Sequence, residues 1–147
     1  MRRIVLPVFL LALVAIIAAC GSSGGSATSS SSSSGLTGKV WKLSAITEKV
    51  PAFQGVVPAA DQDKYTIEFA TAGTFAARAD CNQAAGSYTT TSTGGMTITP
   101  GPMTLAACPE GSYGPQYIDV LSNAASYAIA NGQLTITDKT EGTLVYN

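Results

Sequence analysis

Histidine is absent from the 147 residues, tryptophan occurs once, and charge is sparse, with eight Lys and Arg against nine Asp and Glu. Without histidine the chain lacks the commonest general base, the commonest metal ligand and the usual partner of a nucleophilic Ser or Cys. So few basic residues provide no stripe for nucleic acid, whose recognition rests on phosphate neutralisation. Within the domain, residues 36–147, there is no Gly-x-Ser-x-Gly elbow, and no Walker loop, nucleotide fingerprint or Cys-x-x-Cys pair appears. Asp61 and Asp63 are acidic neighbours in a polar stretch and do not make a convincing glycosidase pair. No catalytic set, cofactor or metal is therefore expected, and the sequence points away from an enzyme. At this length one domain is the default.

What is present begins with an address. Arg2 and Arg3 precede an apolar run from Ile4 to Ile17, and the small residues Ala18 and Ala19 lead into Cys20. That order is a secretory signal, and the run is short for a spanning helix, which needs about 20 residues. Ile17-Ala18-Ala19-Cys20 resembles the bacterial lipobox. The resemblance implies diacylglyceration of the Cys20 thiol as a thioether, cleavage before Cys20 and acylation of its new amino group. Two or more chains give stable anchoring where one is marginal. A membrane partner and an extracytoplasmic, lipid-anchored location on the cell membrane or outer membrane follow as expectations.

Residues 1–19 read as the leader and 20–35 as the lipidated cysteine with its tether. Gly21 to Gly35 contains nine Ser and four Gly with one Ala and one Thr, and has no apolar surface to bury. Such a segment spans about 20 Å as a coil. Without Arg2 and Arg3, six basic residues face nine acidic ones, so the mature chain carries a net charge of −3. Of three cysteines, Cys20 is assigned to lipid, leaving Cys81 and Cys108 as one disulfide in an oxidising compartment or as two free thiols. A bridge closing such a loop stabilises by about 3–4 kcal/mol on chain-entropy grounds.

Residues 36–147 form the domain, large enough for one core. Trp41, Leu43 and Ala45 alternate with polar neighbours, as do Tyr65, Ile67 and Phe69, which is the period of a half-buried strand. Further strands are expected at Thr74–Ala76, from Gly86-Ser87-Tyr88, and at Met96–Ile98, with Pro100 and Pro102 interrupting before Met103–Leu105. Pro115 suits a first helical turn, followed by Tyr117, Val120, Leu121 and Ala124 at helical spacing. Asn131-Gly132 predicts a tight hairpin between Tyr127–Ala130 and Leu134–Thr137, and a second turn at Asp138–Gly142 leads into Thr143–Tyr146. The expected class is mainly β (α+β): a strongly curved antiparallel sheet or half-barrel of about seven or eight strands with one covering helix.

Leu36-Thr37-Gly38-Lys39-Val40-Trp41-Lys42-Leu43 resembles the opening motif of the META (HslJ-like) domain family. Phe69 to Gly73 resembles its strand and turn, and Cys81-Asn82 followed by Gly86-Ser87-Tyr88 is similar to its Gly-Cys-Asn…Gly-x-Tyr signature. Ala106-Ala107-Cys108-Pro109 is similar to its second cysteine segment. Asp80 stands where the family usually has glycine, and Thr104-Leu105-Ala106 replaces a Thr followed by a basic residue and Met. The resemblance implies a small antiparallel β domain with a helix, often exported or lipid-anchored and without an established enzymatic activity. It also implies an association with stress or drug tolerance and secretion, and a fold like that of secretin-pilot lipoproteins.

Candidate binding residues fall in two regions. Glu48 to Lys64 reads as a long connection bearing Phe53, Val56 and Val57, able either to gate an apolar groove or to fold back as a core lid. Arg78 and Asp80, two apart in an extended segment, form either a recognition point or an exposed ion pair, and Asn82 either orients a ligand or bonds the local backbone. The partner is accordingly an envelope protein or an apolar ligand, bound by a monomeric domain.

Overall fold

A computed structural model describes residues 35–147. The leader, Cys20 and all but the last residue of the tether lie outside the described residues. Nine strands form: β1 (Val40–Lys49), β2 (Ala52–Val56), β3 (Tyr65–Phe69), β4 (Thr74–Ala79), β5 (Asn82–Thr90), β6 (Met96–Met103), β7 (Ala124–Ala130), β8 (Gln133–Asp138) and β9 (Thr143–Tyr146). One α-helix, α1 (Gly114–Ser122), precedes β7, and a 3-10 turn covers Ala59–Lys64.

The strands are antiparallel in the order β6-β5-β4-β3-β1-β9-β8-β7, with β2 pairing only to β1. Lys42 pairs with Thr66 of β3, while Ala45 pairs with both Val56 of β2 and Val145 of β9, so β2 and β3 share one edge of β1. The sheet curls until its ends meet at one point, where Gly95 bridges Ser126 and the Tyr127 N–H donates to the Gly94 carbonyl at 2.8 Å. Beyond that point the seam is open, and α1 fills it, packing on β1, β4, β6, β8 and β9. This is the expected half-barrel with a covering helix.

Inside lie Trp41, Leu43, Ile67, Phe69, Leu134, Ile136, Leu144 and Tyr146, joined by Tyr117, Val120 and Leu121 of α1. Burial of each large side chain stabilises by about 1.5–3 kcal/mol. The core of the described residues runs from Leu36 to Tyr146 as one cluster, so this segment carries a complete core and folds as a unit. The opening motif earns its burial at both ends: Leu36 is fully buried, and the Trp41 indole N–H donates to its carbonyl at 2.8 Å.

Four expectations need correction. Ala45 does not continue the inward alternation, because a register shift between Leu43 and Ala45 hands the inward face to Ile46. Pro100 and Pro102 do not interrupt β6; they are tolerated because β6 ends the sheet path and its outer side requires no ladder donors there. The helix stops at Ser122, so Ala124 is buried from β7. Glu48 to Lys64 is no open connection: β1 extends to Lys49, β2 returns along it, and the 3-10 turn follows. The Asn131-Gly132 hairpin stands as expected, with both residues at positive φ (53° and 79°).

Candidate functional site

The β4–β5 hairpin is the keystone of the site. Ala79 pairs with Asn82, leaving Asp80-Cys81 as a two-residue loop whose first member has φ +61°. That conformation favours glycine, and aspartate is among the side chains that tolerate it. The loop presents Cys81 and Asn82 to the segment that links β6 to α1. Cys81 and Cys108 are joined as a disulfide with Cα atoms 5.5 Å apart.

Asn82 does not bond the local backbone. Its Oδ1 accepts from the Ala106 N–H at 2.7 Å and from the Thr104 hydroxyl at 3.1 Å, and its Nδ2 donates to the Ala106 carbonyl at 3.0 Å. The side chain thus acts as a short strand for a segment 24 residues away. The Thr104 N–H donates to the Gln83 carbonyl and the Gln83 N–H to the Thr104 hydroxyl, both at 2.9 Å. Further on, the Tyr113 N–H donates to the Tyr65 hydroxyl at 2.9 Å, and the Tyr117 hydroxyl donates to the Thr66 carbonyl at 3.0 Å. Burial raises the Tyr117 and Tyr146 phenols well above the ordinary tyrosine range, so both stay neutral.

Pinned in this way, the segment forms one wall of a groove of about 450 Å³, with Ala79, Met103, Leu105, Ala107, Pro109 and Ile118 among its lining. An adjoining recess of about 160 Å³ shares Met103 and Ile118 and reaches Phe75, Ile98 and Leu121. No ionisable side chain lines either space. Leu105 stands 84 % exposed on the wall and Met103 40 % exposed beside it. A larger but shallower trough of about 540 Å³ lies on the outer sheet face, floored by Ala76 and Ala85 and flanked by Glu68 and Arg78. The inner groove is the better-built site, since it is more enclosed, apolar and framed by the disulfide.

The candidate binding residues do not converge. Val57 is a core residue, Phe53 packs edge-on against Tyr113 with centroids 5.6 Å apart, and Val56 is exposed on β2; none of the three lines the groove. Arg78 and Asp80 make no side-chain ion pair. Asp80 sits in the loop, out of the strand's alternation, and Arg78 donates to the carbonyls of Asp80 (2.9 Å) and Asp63 (3.3 Å). Among the described residues the ion pairs are Lys42–Asp63 and Lys64–Asp61. Of the six, Asn82 alone lines the groove. Missed were Met103, Leu105 and Ile118; the signal available was a bulky apolar pair flanking a proline-marked strand end. Among the described residues no cluster of His, Cys, Asp or Glu suits a metal ion.

Residues 34–147 match the family model of the META domain. The chain belongs to the META domain family. The META domain is also similar to two solved structures. One, determined by NMR, is a protein from Burkholderia xenovorans, with 22% identity over 76% of this chain and 82% of that one and a TM-score of 0.56. The other is the crystal structure of a DUF4847 family protein from Bacteroides vulgatus, with 13% identity over 78% of this chain and 94% of that one and a TM-score of 0.55. At these identities the likeness is one of fold. No curated protein is significantly similar to the chain. Among the described residues no helix is long and apolar enough to cross a membrane.

Proposed function

We propose that this META-domain chain is a lipid-anchored, extracytoplasmic binding module without catalytic activity, whose groove between β6 and α1 takes an uncharged alkyl or acyl chain. The observation that carries the reading is the uncharged lining: a 450 Å³ groove with a 160 Å³ recess and exposed apolar side chains on its wall. That volume lies within the roughly 300–1,000 Å³ of small-molecule sites. A charged ligand would lose hydration there and gain no partner of opposite charge. Strand addition is disfavoured because Pro100 and Pro102 remove donors from the β6 edge. Recognition is therefore left to apolar contact, and with no acid–base pair in the lining the groove holds its ligand without transforming it.

The anchor half of the proposal rests on Ile17-Ala18-Ala19-Cys20 and the Ser/Gly tether that follows. Cys20→Ala should abolish labelling by an alkynyl fatty acid and leave the chain unprocessed; retained labelling would refute the anchor. For the groove, Nile red added to residues 35–147 should show saturable fluorescence that Leu105→Ser together with Met103→Gln removes. Absence of saturation, or indifference to both substitutions, would refute the ligand class.

A second reading, a protein-docking face, draws on the outer trough, where Glu68 and Arg78 flank alanine floors. Photocrosslinking from position 85 in the envelope should then capture one specific partner that Arg78→Glu abolishes.

A further inference from the structure

We infer that the Cys81–Cys108 disulfide is a redox latch on the groove, opened by an extracytoplasmic dithiol, that frees the wall without unfolding the barrel. Residues 104–112 have no regular structure and contribute no member to the core cluster. Their ties to the sheet are few. Thr104 bonds Gln83, Ala106 bonds Asn82, and Tyr113 closes the far end on Tyr65. Between Ala106 and Tyr113, among the described residues, the disulfide is the one covalent bond that joins the segment to the sheet, beside a single hydrogen bond from Asn82 Nδ2 to Cys108 Sγ at 3.3 Å. Release of the disulfide therefore leaves the wall held by the Asn82 and Gln83 hydrogen bonds alone and takes nothing from the barrel's interior.

The arrangement around the sulfurs suits such exchange. Cys81 is exposed on the loop, whereas Cys108 is half-buried. A thiolate of the incoming dithiol attacks Cys81 Sγ, forming a mixed disulfide and expelling Cys108 as a thiolate, which then takes a proton. Asn82 Nδ2 lies 3.3 Å from Cys108 Sγ and donates to the sulfur that gains the charge. The second thiol of the dithiol attacks its own half of the mixed disulfide and releases Cys81. In sum, the bridge gains two electrons and two protons and becomes two thiols, and the dithiol becomes a disulfide. Loss of the bridge takes no member from the core cluster, so the barrel's packing stays in place.

The loss of binding rests on the groove reading above; the release of the wall does not. The test is hydrogen exchange on residues 35–147, oxidised or reduced with dithiothreitol, with Nile red fluorescence read in parallel. Reduction should lower protection of the Thr104 and Ala106 amides roughly tenfold or more while Leu43 and Ile136 stay protected, and the dye signal should fall. The Cys81→Ser, Cys108→Ser double variant should behave as the reduced protein without any reductant. Uniform loss of protection would make the bridge a global staple and overturn the latch. Unchanged protection at Ala106 would also overturn it, since Asn82 would then hold the wall alone. If the oxidised protein binds no dye, the groove reading fails, and the exchange result still decides the latch.

Discussion

The carboxamide of Asn82 meets both backbone polar groups of Ala106, accepting from its N–H at 2.7 Å and donating to its C=O at 3.0 Å. The first contact also fixes the amide's orientation, because only the oxygen accepts. A side chain that could have bonded its own turn instead extends the sheet toward a segment without strand structure and, with the disulfide, holds that segment as the groove's wall.

Asn82→Asp tests this pairing. The aspartate keeps the acceptor for the Ala106 N–H but turns the donor into a second acceptor facing the Ala106 carbonyl. Urea unfolding should show a loss of about 1–2 kcal/mol. A variant as stable as the parent would mean that the pairing contributes nothing.

Asp80→Gly should act in the opposite direction. At φ +61° the aspartate carries a strain that glycine lacks, so the substitution should stabilise by up to about 1 kcal/mol, offset in part by the freer unfolded chain. A fall in the thermal midpoint would show that the Asp80 side chain holds something the described contacts omit.

Gly86 packs where β5 shifts register against β6, and an added Cβ would sit 2.7 Å from the Phe75 ring and overlap the Thr99 carbonyl. Gly86→Ala should therefore destabilise by about 1–3 kcal/mol, since backbone must move. Unchanged stability would indicate that β6 yields freely at this edge.

Glu48 provides the pH dependence. It is 8% exposed, and desolvation, then the negative charges of Asp119 and Asp138, raise its pKa above 4.5. A carboxyl with a raised folded pKa binds its proton more tightly in the folded state. Its contribution is therefore most favourable below the unfolded value, and stability falls as pH climbs through the folded one. Glu48→Gln should raise the thermal midpoint at about pH 7.5 and leave it nearly unchanged at about pH 4. A gain of equal size at both values would point to packing instead of charge.

Much of this fold was legible because turn chemistry is local. Asn131-Gly132 and Gly94-Gly95 each specify a turn from adjacent residues, and Tyr65, Ile67 and Phe69 declare their strand by alternation alone. What escaped depends on partners distant in sequence. The prolines of β6 read as breakers because edge position is a property of the whole sheet, and Ala45 read as inward because one register shift moves every later side chain to the other face. The candidate site was less legible. Cys81, Cys108 and Asn82 stood out as polar or reactive types, but the groove they frame is lined by Met103, Leu105 and Ile118, ordinary residues whose juxtaposition arises only when the β6–α1 segment is pinned to the β4–β5 loop.

The central claim is that the pinned segment and α1 enclose a site for an uncharged alkyl chain. The most direct measurement is amide chemical shifts of residues 35–147 during titration with decanol. The account predicts saturable perturbations confined to Ala79, Leu105–Ala107, Ile118 and Leu121. Perturbations centred instead on Val40, Ala76 and Ala85 of the outer trough, or none that saturate, would contradict it.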